Sequence, residues 1–184
     1  MIRAMDVVGA LIGLVCGAPV IAVCVLMHHL TSSGSAVFRQ ARVGRGEAVF
    51  VCYKLRTMAP GTPDRGTHEV SVAAVTPLGR FLRKMKLDEL PQLWNVLVGE
   101  MSLVGPRPCL TSQGAVIAAR RARGVYAVRP GVTGPAQVLG VDMSTPEQLA
   151  EIDASWVANQ NLAEYVRILF ATAGGRGFGD KVKS

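Results

Sequence analysis

Residues 85–108 read MKLDELPQLWNVLVGEMSLVGPRP, and the fold turns on how the carboxylate pair near the start of this stretch, Asp88 and Glu89, is read. Arg80, Arg83, Lys84 and Lys86 surround its upstream side, while Pro91 and the apolar Leu93, Trp94, Val96, Leu97 and Val98 follow it. Proline is tolerated in a helix only in the first turn, where its missing N–H has no helical partner. The pair is therefore expected at the N-terminus of a helix over residues 90–98, where free N–H groups and the macrodipole favour carboxylates and phosphates. The surrounding cations are expected to lower both carboxylate pKa values, so that both are ionised at neutral pH. Two such neighbours can divide the labour, one attacking phosphorus and the other helping to hold Mg²⁺. Taken alone, such a pair opening a helix is usually just a favourable first turn.

Working outward, Leu78, Phe81, Leu82 and Met85 recur at helical spacing among basic residues, which predicts an amphipathic helix suited to an anionic membrane surface. Downstream, Pro106 and Pro108 stiffen the backbone on either side of Arg107, so that its planar guanidinium is presented to a diphosphate from an extended segment. VRPGVTGPAQ, residues 128–137, forms a second rigid station with Arg129 and Gln137. Lys54 and Arg56, in YKLRTM, add further cations for anionic oxygens.

Residues 7–27 carry no charge and match the roughly 20 residues that span a bilayer as a helix. Pro19, after Gly17 and Ala18, predicts a bend. A kinked span and a re-entrant hairpin returning to the same face both fit. Arg39, Arg42 and Arg45 after the segment outnumber Arg3 before it, which places the following domain in the cytoplasm. AVFRQ, ARVGRGE and AVFVCYKLR, residues 36–56, read as two strands and a turn, hence a β-hairpin, and residues 59–67 as a loop. Further helices are expected over 112–123 and 146–172, the second with a break near Asn159 to Asn161.

The chain has 184 residues, room for one domain with its own core. It is 49% hydrophobic yet only 5% aromatic, with a net charge of +7 and a mean hydropathy of +0.31. Greasy and basic together suit a membrane surface or phosphate-bearing ligands, whereas a soluble nucleic-acid binder is basic without being greasy. The four cysteines show no C-x-x-C spacing, so reduced thiols are expected rather than a zinc or disulfide framework. His28 and His29 project about 100° apart on a helix and suit a membrane interface better than a shared metal.

FRQARVG, YKLRTM, LGRFLRKMKLDELPQLWNVLVGEMSLVGPRP and RPGVTGPAQVLG, in this order, resemble the bacterial sugar transferases, monotopic phosphoglycosyl transferases acting on polyprenol phosphate. The resemblance runs from residue 1 to about residue 172. It implies an α+β, mainly helical fold with an N-terminal re-entrant membrane helix (1–30), a short β-hairpin and amphipathic interfacial helices around a cytosolic active site (31–172), then a flexible tail (173–184). Asp88 would attack the β-phosphate of a UDP-sugar, expelling UMP, and Glu89 would bind Mg²⁺. Polyprenol phosphate would then take the phospho-sugar from the enzyme. Lys54, Arg56, Arg83, Pro106, Arg107, Arg129 and Gln137 are the substrate-binding candidates by motif, and Ala18 and Pro19 form the membrane bend. The expected partners are a UDP-sugar, polyprenol phosphate, membrane lipids and, as an open option, a second copy in a homodimer, with no nucleic acid. The expected location is the cytoplasmic face of the bacterial inner membrane. A non-catalytic membrane adaptor keeping the same fold is the alternative.

Three departures accompany the resemblance. Ala18 stands where the family has serine before the proline, and residues 72–76 replace a charged D-P-R-I-T-like stretch. Asn161 and Tyr165 stand where a serine and an aspartate are usual.

Overall fold

The computed structural model describes residues 1–62 and 74–175. Residues 63–67 of the expected loop, residues 72 and 73, and residues 176–184 of the expected tail lie outside them. Helix α1 (Ile2–Thr31) comes first and contains Pro19. Strands β1 (Val37–Val43) and β2 (Val49–Leu55) form the expected antiparallel hairpin, in register from Val37 opposite Leu55 to Val43 opposite Val49. Ala41 to Val43 belong to β1, so the turn is shorter than the sequence suggested. Gly46 and Glu47 make it at φ of 61° and 63°.

The rest is mainly helical: α2 (Pro77–Lys84), α3 (Gln92–Val98), α4 (Gly114–Ala122), the short α5 (Pro135–Val138), α6 (Pro146–Ala158) and α7 (Leu162–Ala173). Thr76 caps α2 by accepting the Gly79 N–H at 2.9 Å, with Pro77 in the first turn. A second, parallel pair joins β3 (Ser102–Val104) to β4 (Gly131–Thr133). Three-residue strands leave too little alternation for periodicity to detect. This pairing brings the VGPRP and RPGVTG segments side by side, with Gly105 N–H donating to Thr133 O at 2.9 Å. Gly131 makes the close approach possible: a Cβ there would lie 2.1 Å from Gly105 N.

One stripe of α1 is seated on the globular part along most of its length. Arg3 donates to Val96 O and Leu97 O at 2.7 and 3.0 Å, satisfying carbonyls at the end of α3. Asp6, 2% exposed, accepts from Ser102 Oγ and Leu103 N, both at 2.8 Å, and from Tyr165 OH at 2.6 Å. Burial, and then Asp6, push the Tyr165 hydroxyl far above its ordinary pKa, so it stays a donor. Farther along, α1 approaches α3 without side chains of its own: a Cβ on Gly13 would lie 2.7 Å from Leu93 Cδ1, and one on Gly17 3.4 Å from Leu90 Cδ1. Small residues four apart let helices meet closely in this way. Cys24 packs with Leu55 and Leu82, and His28 is buried while His29 is exposed.

The opposite face of α1 has no partner among the described residues: Leu11, Ile12, Val15, Val23 and Leu26 are all more than half exposed. The helix is long and apolar enough to cross a membrane, with a mean hydropathy of 2.6 over its most apolar window. The expected apolar face of α2 is divided. Leu82 enters the core beside Cys24 and Leu55, whereas Phe81 and Met85 remain exposed, as do Trp94 and Val98 on α3. Of the positions that depart from the family pattern, the two late ones are both engaged. Asn161 caps α7 by accepting from Glu164 N at 2.9 Å, and Tyr165 reaches Asp6.

Candidate active site

Asp88 and Glu89 are not inside α3 but on a separate 3-10 turn, Leu87–Glu89, entered through Lys86 at φ 56°. Pro91 is the residue immediately before α3, which begins at Gln92 rather than at Leu90 as expected. The turn packs against the hairpin and α2, which leaves Asp88 8% exposed. Burial is the largest influence on its carboxyl and raises the pKa, with the Glu89 charge second. Lys54, Arg83 and Arg107 act in the opposite direction but do not overcome them. The expectation that cations would lower the Asp88 pKa therefore fails, because the enclosing surface cannot be counted from the local sequence.

Three of the expected cations converge here. Arg107 Nη2 lies 2.6 Å and Lys54 Nζ 3.4 Å from Glu89 Oε1, and Arg83 Nε donates to Thr57 Oγ1 at 2.9 Å, close enough to act on Asp88. Asn95, fully buried, ties the Lys54 strand to α3. Its Oδ1 accepts from Tyr53 N at 3.2 Å, and its Nδ2 donates to Val51 O and Glu100 Oε2, both at 2.7 Å.

Arg107 is held by its backbone as much as by its prolines. Four consecutive carbonyls are engaged: Pro106 O accepts from Gly131 N at 3.0 Å, Arg107 O from Arg120 Nη1 at 2.7 Å, Pro108 O from Arg42 Nη1 at 2.7 Å, and Cys109 O from Val43 N at 2.9 Å. Arg120 is itself fixed by Asp153, whose Oδ2 accepts from Arg120 Nε at 3.0 Å and Nη2 at 2.6 Å. Both residues are at most 1% exposed. Sequence reasoning missed Arg120 and Asp153, since residues 33 apart on two helices carry no joint local signal. It read Arg42 only as part of a membrane-flanking charge excess, whereas Arg42 is buried.

Two expected cations go elsewhere. Arg56 lies past the end of β2, donates to Ser35 O at 2.7 Å and sits over the Phe38 ring, 5.5 Å from its centroid. Arg129 donates to Gly99 O at 2.8 Å, at the end of α3 opposite the acidic turn. Gln137, on α5, lines a cavity of about 160 Å³ that Glu89 also lines. Ala18 and Pro19 are exposed on α1.

Among the described residues no cluster of three or more His, Cys, Asp or Glu side chains could cage a metal ion. The adjacent carboxylates of Asp88 and Glu89 are nevertheless hard oxygen donors of the kind Mg²⁺ uses, one or two at a time, together with substrate phosphates. The site can therefore gather phosphate oxygens on Lys54, Arg83 and Arg107 around a shielded carboxylate.

Known proteins share this arrangement of sequence. The chain is 40% identical over 181 residues to the UDP-glucose:undecaprenyl-phosphate glucose-1-phosphate transferase of Caulobacter vibrioides, covering 92% of this chain and 67% of that protein. It is 35% identical over 170 residues to the uncharacterized sugar transferase EpsL of Bacillus subtilis, covering 92% and 84%. It is 35% identical over 179 residues to the UDP-N-acetylgalactosamine-undecaprenyl-phosphate N-acetylgalactosaminephosphotransferase of Aeromonas hydrophila, covering 92% of this chain but only 42% of that longer protein. The profile described as bacterial sugar transferase matches residues 1–176, from the first turn of α1 past the end of α7. The chain belongs to the bacterial sugar transferase family.

Proposed function

We propose that this protein transfers a sugar-1-phosphate from a UDP-sugar to polyprenol phosphate, through a phospho-sugar carried on Asp88. The observation that carries the reading is a buried carboxylate flanked by Lys54, Arg83 and Arg107. An Asp88 oxygen attacks the β-phosphorus of the donor, the bond to the bridging oxygen breaks, and UMP leaves with the electron pair. A phosphate oxygen of polyprenol phosphate then attacks the same phosphorus and returns the Asp88 carboxylate, yielding a polyprenyl-diphospho-sugar. Removing the carboxyl group from bulk water and holding three cations beside it gives a basic nucleophile and stabilises the charge that gathers on the phosphoryl oxygens. Mg²⁺, held by Glu89 with the donor phosphates, would supply further neutralisation of that charge. Arg107 and Lys54 hold Glu89 in place beside the attacking group. Covalent storage on the enzyme implies ping-pong kinetics.

Incubating the protein with a panel of UDP-sugars and no lipid acceptor is expected to release about one equivalent of UMP and to add the mass of a phospho-sugar to the peptide containing Asp88. UMP release that requires polyprenol phosphate, with no adduct, would favour direct transfer. No release from any UDP-sugar would favour the adaptor reading.

The same proposal includes a monotopic, re-entrant α1 at the cytoplasmic face of the bacterial inner membrane. Support comes from the stripe that runs from Arg3 and Asp6 through Gly13 and Gly17 to Cys24, all seated on one globular body. A helix crossing the bilayer would carry its first turn away from a domain on the other side, exposing the Asp6 carboxylate that now accepts three hydrogen bonds on Oδ1. Exposed Phe81, Met85, Trp94 and Val98 would then enter the interfacial region beside the outer face of α1. In a Cys16→Ala background, a cysteine added at the N-terminus is expected to resist a membrane-impermeant maleimide in intact cells and to react in inside-out vesicles. Labelling in intact cells would restore a span.

A further inference from the structure

The cavity beside Glu89 combines apolar walls with a few polar groups, one of them a buried acceptor with no partner among the described residues. Leu90, Leu93 and Val132 give it apolar walls, with Lys86 and Glu89 its charged members; the polar remainder is Thr133, Gln137 and Thr172. Gln137 Oε1 is buried with no hydrogen-bond partner among the described residues. The two threonines can be oriented from their proton count. Thr172 Oγ1 donates to Ile168 O at 2.9 Å, and a hydroxyl has one proton, so in the 2.7 Å contact between the hydroxyls Thr133 is the donor. Thr133 Oγ1 thereby keeps only accepting capacity. Gln137 Oε1 and Thr133 Oγ1 are thus two acceptors and neither hydroxyl has a free proton, while the Gln137 amide also carries N–H donors.

A ligand that satisfies Gln137 Oε1 must bring a donor. An isoprenoid chain has none, and would leave Gln137 Oε1 buried and unsatisfied. A sugar ring brings hydroxyl groups or an acetamido N–H along its edge and apolar C–H faces for Leu90, Leu93 and Val132. At about 160 Å³, equivalent to roughly five waters, the space admits one ring rather than a whole nucleotide sugar, since complete ligand pockets run from about 300 Å³. Its position agrees: Glu89 lines the cavity and is the chain neighbour of Asp88, which brings an occupant close to the acidic turn.

We propose that this cavity holds the sugar ring of the donor, with Gln137 Oε1 and Thr133 Oγ1 each accepting a hydrogen bond from it; the assignment rests on the UDP-sugar reading above. Leu90 and Leu93 take their places against Gly17 and Gly13, so the seating of the membrane helix shapes one wall of the sugar site.

The test uses binding to the Asp88→Asn protein, which separates recognition from chemistry, with UDP-glucose, UDP-galactose and UDP-N-acetylgalactosamine as probes and UDP as reference. Gln137→Leu and the near-isosteric Thr133→Val, each added to Asp88→Asn, are expected to lower affinity for the preferred UDP-sugar about tenfold, the effect of losing one buried hydrogen bond. Affinity for UDP should stay within about twofold, which also reports an intact fold. Equal losses for UDP and UDP-sugar, or unchanged UDP-sugar affinity in both variants, would overturn the assignment. A loss confined to polyprenol phosphate would do so too, assigning the cavity to the lipid. The reaction reading fails separately, if the unaltered protein turns over none of the three donors.

Discussion

Asp88→Asn is expected to slow UMP release from UDP-sugars by at least about a thousandfold, the usual scale for removing a covalent nucleophile, while leaving the protein as stable as before or more so. The two effects have one source. Folding buries the carboxyl and sets it beside Glu89, and both raise its pKa against the opposing pull of Lys54, Arg83 and Arg107. A folded-state pKa above the unfolded value means that the ionised form is destabilising above the ordinary carboxylate range of about 4, and that this penalty disappears as the group protonates. The neutral amide removes the penalty at pH 7, so the thermal midpoint should hold or rise there, with the difference shrinking in acid. Activity has the opposite dependence: protonation removes the nucleophile, so single-turnover UMP release should fall with pH through a midpoint above about 4. Lys54→Met should move that midpoint higher still, since the Lys54 charge lowers the Asp88 pKa. An Asp88→Asn protein retaining more than about a tenth of the parental rate would remove Asp88 from the nucleophile role.

Asp153→Ala is expected to destabilise the fold by about 3–5 kcal/mol, the range for stranding one partner of a buried ion pair. At about 2–4 °C per kcal/mol for a chain of this size, the midpoint in detergent should drop by roughly 6–20 °C. Asp153 is fully buried, and burial holds its carboxyl above the usual range even with Arg120 against it. Without it, Arg120 would be a buried charge whose guanidinium, among the described residues, keeps only its hydrogen bond to the Arg107 carbonyl. The double replacement Arg120→Met with Asp153→Leu should recover much of the midpoint, since apolar side chains of similar size remove both charges at once. It should not recover the rate, because Arg107 O, between Pro106 and Pro108, still lacks its donor and the guanidinium on Glu89 is less firmly placed. Full activity in a stable double variant would make the pair purely structural. A single variant within about 2 °C of the parent would show that the pair is not needed for the fold.

Much of the site could be read in advance because it rests on local rules. Pro91 required a break in the backbone near the pair, and Pro106 and Pro108 required a stiff segment around Arg107. The absence of charge over residues 7–27 required an apolar environment on at least one side of α1. A further local signal, Gly9, Gly13 and Gly17 at four-residue spacing, went unread; it marks the stripe on which α1 meets Leu103, Leu93 and Leu90.

The cations show where local reading ends. Lys54 and Arg56 are two residues apart in one motif, yet Lys54 is within β2 and reaches Glu89, whereas Arg56 lies beyond the strand and turns to Ser35. Arg129 belongs to the same motif as Gln137, but it caps the far end of α3. By itself, the sequence determined the long apolar helix, the hairpin, a break in the backbone at the acidic pair, the rigid arginine segment and the family, all of which follow from periodicity, proline geometry and residue order. Tertiary structure alone decided which cations meet the carboxylates, that Asp88 is raised rather than lowered in pKa, and that Asp6 with Tyr165 and Arg120 with Asp153 act as hidden ties. Desolvation and pairing depend on which surfaces close over a group, and those surfaces come from segments far apart in the chain.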